Sequence, residues 1–119
     1  MGRTTTEAVF DELEQGKPIR EGTNTCLIPS HLIEVHERVY RFRGSLPSLG
    51  LETGDLLIAE PRKTAATGEL VIATLSGNAY LGNWWKKNGT RQLMLEPNKP
   101  LQGNLHILAA VNLILRENP

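Results

Sequence analysis

The feature that most limits how this chain can fold is its punctuation. Thr53-Gly54, Thr67-Gly68, Ser76-Gly77-Asn78 and Asn88-Gly89 are turn signals set between short apolar runs. Gly and Asn tolerate the left-handed backbone of tight hairpin turns, so such pairs mark places where a strand reverses. The runs between them predict strands at 55–60, 69–75, 78–85, 91–96 and 106–115. Two further strands are predicted at 26–28 and 39–42, around a short turn opened by Pro29-Ser30. Short strands at this spacing, with neither a repeat nor a low-complexity tract, predict a mainly β domain.

The N-terminus reads differently. Thr4-Thr5-Thr6-Glu7 has the form of a capping box, and Ala8, Val9, Phe10 and Leu13 follow it before Gly16. That pattern predicts one short helix with a narrow apolar stripe through Phe10 and Leu13. Residues 17–25 are polar, carry Pro18 and Gly22, and read as an exposed arm. The expected organisation is therefore an N-terminal helix and arm over 1–25 and a β domain over 26–119.

Composition excludes several classes of function. At 119 residues the chain holds one domain with a modest core. Thirteen basic residues balance thirteen acidic ones, so no global field draws it onto nucleic acid or anionic lipid. No direct DNA contact by this domain is expected, since one short helix does not make the two-helix reader that major-groove recognition needs. The single Cys26 cannot form an internal disulfide and suits a reducing compartment as a small buried hydrophobe. No apolar run reaches the roughly 20 residues that span a bilayer, and no basic-then-apolar leader opens the chain. A cytoplasmic protein without membrane contact is expected. His31, His36 and His106 lack converging ligands at metal-binding spacing, so neither a metal nor any other cofactor is expected.

The stretch from Arg43 to Ile58 carries the chemistry. Ser45 stands nine residues ahead of Gly54, and Gly54-Asp55 opens the apolar strand Leu56-Leu57-Ile58; Gly68-Glu69-Leu70-Val71-Ile72-Ala73 then begins a second. This colinear series, with Glu96-Pro97-Asn98-Lys99-Pro100 and the last apolar strand, resembles the peptidase domain of the LexA and UmuD family. The resemblance covers residues 39–118. It implies strongly bent β sheets of the kind found in the LexA and UmuD C-terminal domain. It also implies a self-cleaving serine–lysine dyad, in which a buried, neutral lysine takes the serine proton.

Ser45 occupies the nucleophile position of that family. The lysine position does not hold a lysine. Counting forward from Gly68 and Gly77 places Gly82 there, and counting back from Gly89 places Asn83 there. Lys86 lies four residues past Gly82, about 13 Å along an extended strand. The family's glycine two residues before the nucleophile is displaced to Gly44, immediately before Ser45, and Leu46 replaces the usual methionine. A structural serine that bonds nearby backbone is thus a direct rival for Ser45. Relatives cut an Ala-Gly or Cys-Gly bond, yet none of the eleven glycines follows Ala or Cys; Glu21-Gly22 is the nearest in position. The expectation is a vestigial nucleophile in a catalytically silent domain, serving dimerisation or protein interaction in a phage or bacterial repressor or an SOS-response setting. The alternative is an active self-cleaving peptidase using Ser45 with an unidentified base.

Three further features bear on partners. Arg38, Arg41 and Arg43 read as one strand face, either solvated or a weak anion site. Trp84 and Trp85 are adjacent, so a regular strand sends one indole to the core and one to the surface, whereas a bulge buries both. The run from His106 to Leu115 is nearly continuously apolar, which requires burial of both faces in the core or against another subunit. Family resemblance favours a homodimer, with Ile107, Ala109, Val111, Leu113 and Leu115 as interface candidates. An error-prone polymerase or a repressor subunit is the kind of protein partner the resemblance implies.

Overall fold

The computed structural model describes residues 4–96 and 99–116; Pro97 and Asn98 of the family-like Glu96–Pro100 segment lie outside it. The described chain is mainly β. Its strands are β1 (Thr5–Glu14), β2 (Thr25–Pro29), β3 (Arg38–Arg43), β4 (Leu56–Pro61), β5 (Leu70–Leu75), β6 (Asn78–Lys87), β7 (Thr90–Glu96), β8 (Lys99–Gln102) and β9 (His106–Leu115). They form one nine-stranded sheet in the order β2-β1-β3-β4-β9-β5-β6-β7-β8, with β1 and β3 parallel and every other pair antiparallel.

The turn signals act as the sequence predicts. Ser76 and Gly77 both have positive φ, 53° and 83°, and form a two-residue loop between Leu75 and its partner Asn78. Asn88 and Gly89, at 53° and 78°, do the same between Lys87 and Thr90. Paired positive φ matches the twist of the flanking strands.

The N-terminal helix is not formed. Residues 5–14 are strand β1, whose first half pairs β2 and whose second half pairs β3. β-branched Thr5, Thr6 and Val9 suit a pleated surface, and so short a helix has little stability of its own. Phe10 and Leu13, three apart, fall on opposite faces of a strand and enter different cores. Phe10 packs with Cys26, Ile28 and Val39, and Leu13 with Tyr40, Phe42 and Leu81. The sheet thus runs across residue 25, with β1 on one side of it and its partners β2 and β3 on the other. The two strands predicted around Pro29-Ser30 do not pair with each other, because β1 lies between them.

The sheet curls until β1 meets β6. Gly16 N–H donates to the Ala79 carbonyl and Ala79 N–H to the Lys17 carbonyl, each at 2.9 Å. Strands β1, β3, β4, β9, β5 and β6 therefore make a ring. Leu13, Phe42, Leu57, Ile72, Leu81 and Ala109 fill it, each with no exposed surface. Two flanking cores cover the outer faces: Ile28, Val39, Leu56 and Ile58 on one side, Val71, Ala73, Trp84 and Leu93 on the other.

This layout accounts for the apolar last strand. β9 is hydrogen-bonded on both edges, to β4 and β5, and supplies side chains to all three cores. Of the five positions expected at a subunit interface, Ile107 and Ala109 are buried, and Val111, Leu113 and Leu115 pack partly buried against the cores. The large apolar side chains that β9 does present to solvent are Leu108 and Ile114.

Candidate functional site

Ser45 lies in the connection between β3 and β4, and each neighbour of Ser45 is anchored. Phe42 and the start of β4 close the base: Phe42 N–H donates to the Asp55 carbonyl and Gly54 N–H to the Phe42 carbonyl, both at 2.8 Å. Gly44 N–H then donates to Thr53 Oγ1 at 2.8 Å, and the Thr53 hydroxyl donates to the Gly44 carbonyl at 3.0 Å. Leu46 and Leu51 exchange backbone bonds of 3.0 Å and plug their side chains into the ring core. Ser45 sits between these two clamps and is exposed. Its hydroxyl makes no hydrogen bond among the described residues, so the backbone-bonding role expected of a Gly-Ser serine is filled by Thr53 instead.

A charged latch holds the same loop. Asp55, 2% exposed, accepts Arg116 Nε on Oδ1 and Nη2 on Oδ2, each at 3.0 Å, and accepts Glu52 N–H on Oδ2 at 2.9 Å. Arg116 Nη2 also donates to the Gly50 carbonyl. The Arg116 guanidinium, aided by the Glu52 N–H, holds the Asp55 carboxyl below its ordinary pKa and outweighs burial, which acts the other way. Gly54-Asp55 read in the sequence as a turn; its partner 61 residues away left no local signal.

Gly82 lies on β6 opposite Val71 and is buried. Its backbone is not what requires glycine; space is. A Cβ there would stand 2.6 Å from the Met94 carbonyl oxygen and 3.0 Å from Leu93 Cγ. Asn83, the other candidate for the lysine position, donates its amide to the Gly68 carbonyl at 3.2 Å. Lys86 and Lys87 continue the strand into solvent, and neither bonds Ser45.

Between the serine loop and Gly82 runs the end of β1. Glu14 pairs in register with Arg43, two residues before Ser45, and the next residue reaches across to the neighbour of Gly82. Gln15 Nε2 donates to the Leu81 carbonyl at 2.9 Å, and Leu81 N–H donates to Gln15 Oε1 at 2.6 Å. The amide thus acts as one extra residue of strand against β6, between the Gly16/Lys17 pairing at Ala79 and the Asn83–Met94 pairing with β7. Nothing in the local sequence marks Gln15, because its segment carries a helical pattern. Glu21-Gly22 lies elsewhere, along the edge of β1 away from β3: Arg20 pairs with Glu12, and Gly22 N–H donates to Asp11 Oδ1 at 3.0 Å.

The remaining candidates are dispersed. Arg38 and Arg41 are three apart and so leave the strand on different faces; Arg41 lies over the Phe10 ring at 5.5 Å, and Arg43 pairs with Glu12 at 3.1 Å. His36 stands between Glu34 and Glu60, at 3.6 and 3.7 Å. No group of three His, Cys, Asp or Glu side chains placed to hold a metal occurs among the described residues. No described helix is long and apolar enough to cross a membrane. Trp84 is 4% exposed and Trp85 47%, the separation expected of a regular strand. No family model and no curated protein matches the chain.

Proposed function

We propose that this chain is a catalytically silent LexA/UmuD-like domain acting as a dimerisation or protein-interaction module, in a phage or bacterial repressor or an SOS-response setting. The observation that carries the proposal is the packing at Gly82. Gly82, one of the two candidates for the resembled family's general-base position, has no room for a side chain, because the Met94 carbonyl and Leu93 already fill that space, and Asn83, the other, spends its amide on the Gly68 carbonyl. Gln15 bonds the adjacent backbone, and Ser45 has no hydrogen-bond partner among the described residues. A serine hydroxyl with no base in reach is a weak nucleophile. Association as a homodimer would use the large apolar side chains that β9 exposes, Leu108 and Ile114. Intact-mass measurement after prolonged incubation at alkaline pH tests the reading. An unchanged mass is expected, and a discrete fragment lost on Ser45→Ala would overturn it.

The second reading, a self-cleaving peptidase using Ser45 with an unidentified base, draws on one observation: the hydroxyl is exposed on a loop held rigid on both sides. The same incubation separates the two readings.

A further inference from the structure

The balanced charge of the sequence is not balanced in space. A groove of about 440 Å³ lies between the β4–β5 connection, β6, β7 and the start of β9, with Lys63, Lys86 and Arg91 in its walls. Among the described residues no carboxylate lines it. None of the three cations forms an ion pair among the described residues. The nearby acids are engaged elsewhere: Arg62 binds Glu60 at 3.2 Å and Glu69 at 3.0 Å. These three cations therefore give the groove an uncompensated positive charge. The opposite charge collects at the other end of the strand order, where Glu7, Asp11, Glu34 and Glu37 line a second groove with Arg38 as the one cation among its described lining residues. The molecule is 52 Å long and 24 Å or less across, so the two fields have room to stay distinct.

We infer that the Lys63–Lys86–Arg91 groove binds an acidic peptide segment of a partner protein. The inference does not depend on the reading of Ser45. Cations around an apolar floor of Trp84, Leu105 and Ile107 suit a chain that alternates carboxylates with aliphatic side chains. Single-stranded nucleic acid fits less well, because its bases need an exposed aromatic face and the Trp84 indole is almost fully buried. Its phosphates would also meet a protein with no net positive charge.

Fluorescence anisotropy tests the inference with two labelled probes of equal length, a peptide alternating Glu with Leu and an oligothymidine. The peptide is expected to bind saturably, less tightly as salt rises, and at least tenfold more weakly to Arg91→Glu and Lys63→Glu. Arg20→Glu, which makes the same net charge change far from the groove, should alter binding no more than twofold. Circular dichroism confirms that each variant is folded; should one variant fail, Lys86→Glu takes its place. Absent saturable peptide binding, or equal loss in Arg20→Glu, overturns the inference. So does tighter binding of oligothymidine through the same three residues.

Discussion

The Arg116 guanidinium grips Asp55 with two hydrogen bonds of 3.0 Å, and through Gly50 it holds the loop that carries Ser45. The last described residue of the chain thereby fixes a connection between its third and fourth strands. A buried carboxylate accepts this position because the paired guanidinium and the Glu52 N–H satisfy it.

The latch makes stability depend on acid. The folded-state pKa of Asp55 is depressed, so its contribution is complete above the unfolded value near 4 and is lost as pH falls through the folded value. Urea denaturation over a pH series should show stability dropping below about pH 4 in the wild type. Asp55→Asn should be less stable at neutral pH, by roughly 2–3 kcal/mol, with a flatter acid limb. That cost is below the range for a fully buried pair because Arg116 keeps access to water. An unchanged acid limb would remove Asp55 as its source.

Gly82→Ala should destabilise by about 1–3 kcal/mol, since the new methyl must displace the Met94 backbone or the Leu93 side chain. Thermal denaturation measures it. Gly82→Lys should fold no better and should leave the mass of the chain unchanged at alkaline pH; Ser45-dependent cleavage in that variant would mean that the backbone relaxes readily.

Gln15→Ala removes the partners of both the Leu81 N–H and the Leu81 carbonyl while leaving the strand itself intact. A loss of about 1–3 kcal/mol is expected, with faster amide exchange at Leu81. Ser45→Ala, by contrast, should change stability by less than about 0.5 kcal/mol, because its hydroxyl is exposed and bonds no described residue.

For the dimer, Ile114 and Leu113 give opposite expectations although they are neighbours. Ile114→Asp places a charge at a position open to solvent and should leave the fold intact while shifting sedimentation equilibrium from dimer towards a 13 kDa monomer. Leu113→Asp puts the charge against the Phe10, Ile28 and Val39 core and should unfold the protein. A wild type that is monomeric at every micromolar concentration would count against the dimer.

The local parts of this fold were legible in the sequence, and the long-range ones were not. Ser76-Gly77 and Asn88-Gly89 define their hairpins because positive φ is a property of those residues alone. The strands from β4 to β7, and β9, follow from apolar runs cut by such turns. The N-terminal segment misled because Phe10 and Leu13 fit one helical stripe as well as two strand faces, and only the partners β2 and β3 decide between them. Glycine at 82 was visible as a missing lysine, but the reason for it is the Met94 carbonyl, which no spacing reveals.

Local sequence alone sets the hairpins, the β class and the absence of a basic side chain at position 82, whereas the regular strand of the folded protein separates Trp84 from Trp85. Tertiary structure alone decided that β9 lies between β4 and β5, that β1 closes the ring onto β6, and that Arg116 and Gln15 brace the serine loop and the glycine strand. It also separated balanced charges into one basic and one acidic groove. The physical reason is range: a turn is set by the φ and ψ of two residues, whereas a parallel pairing, a salt bridge across 61 residues and a surface field depend on which strands become neighbours.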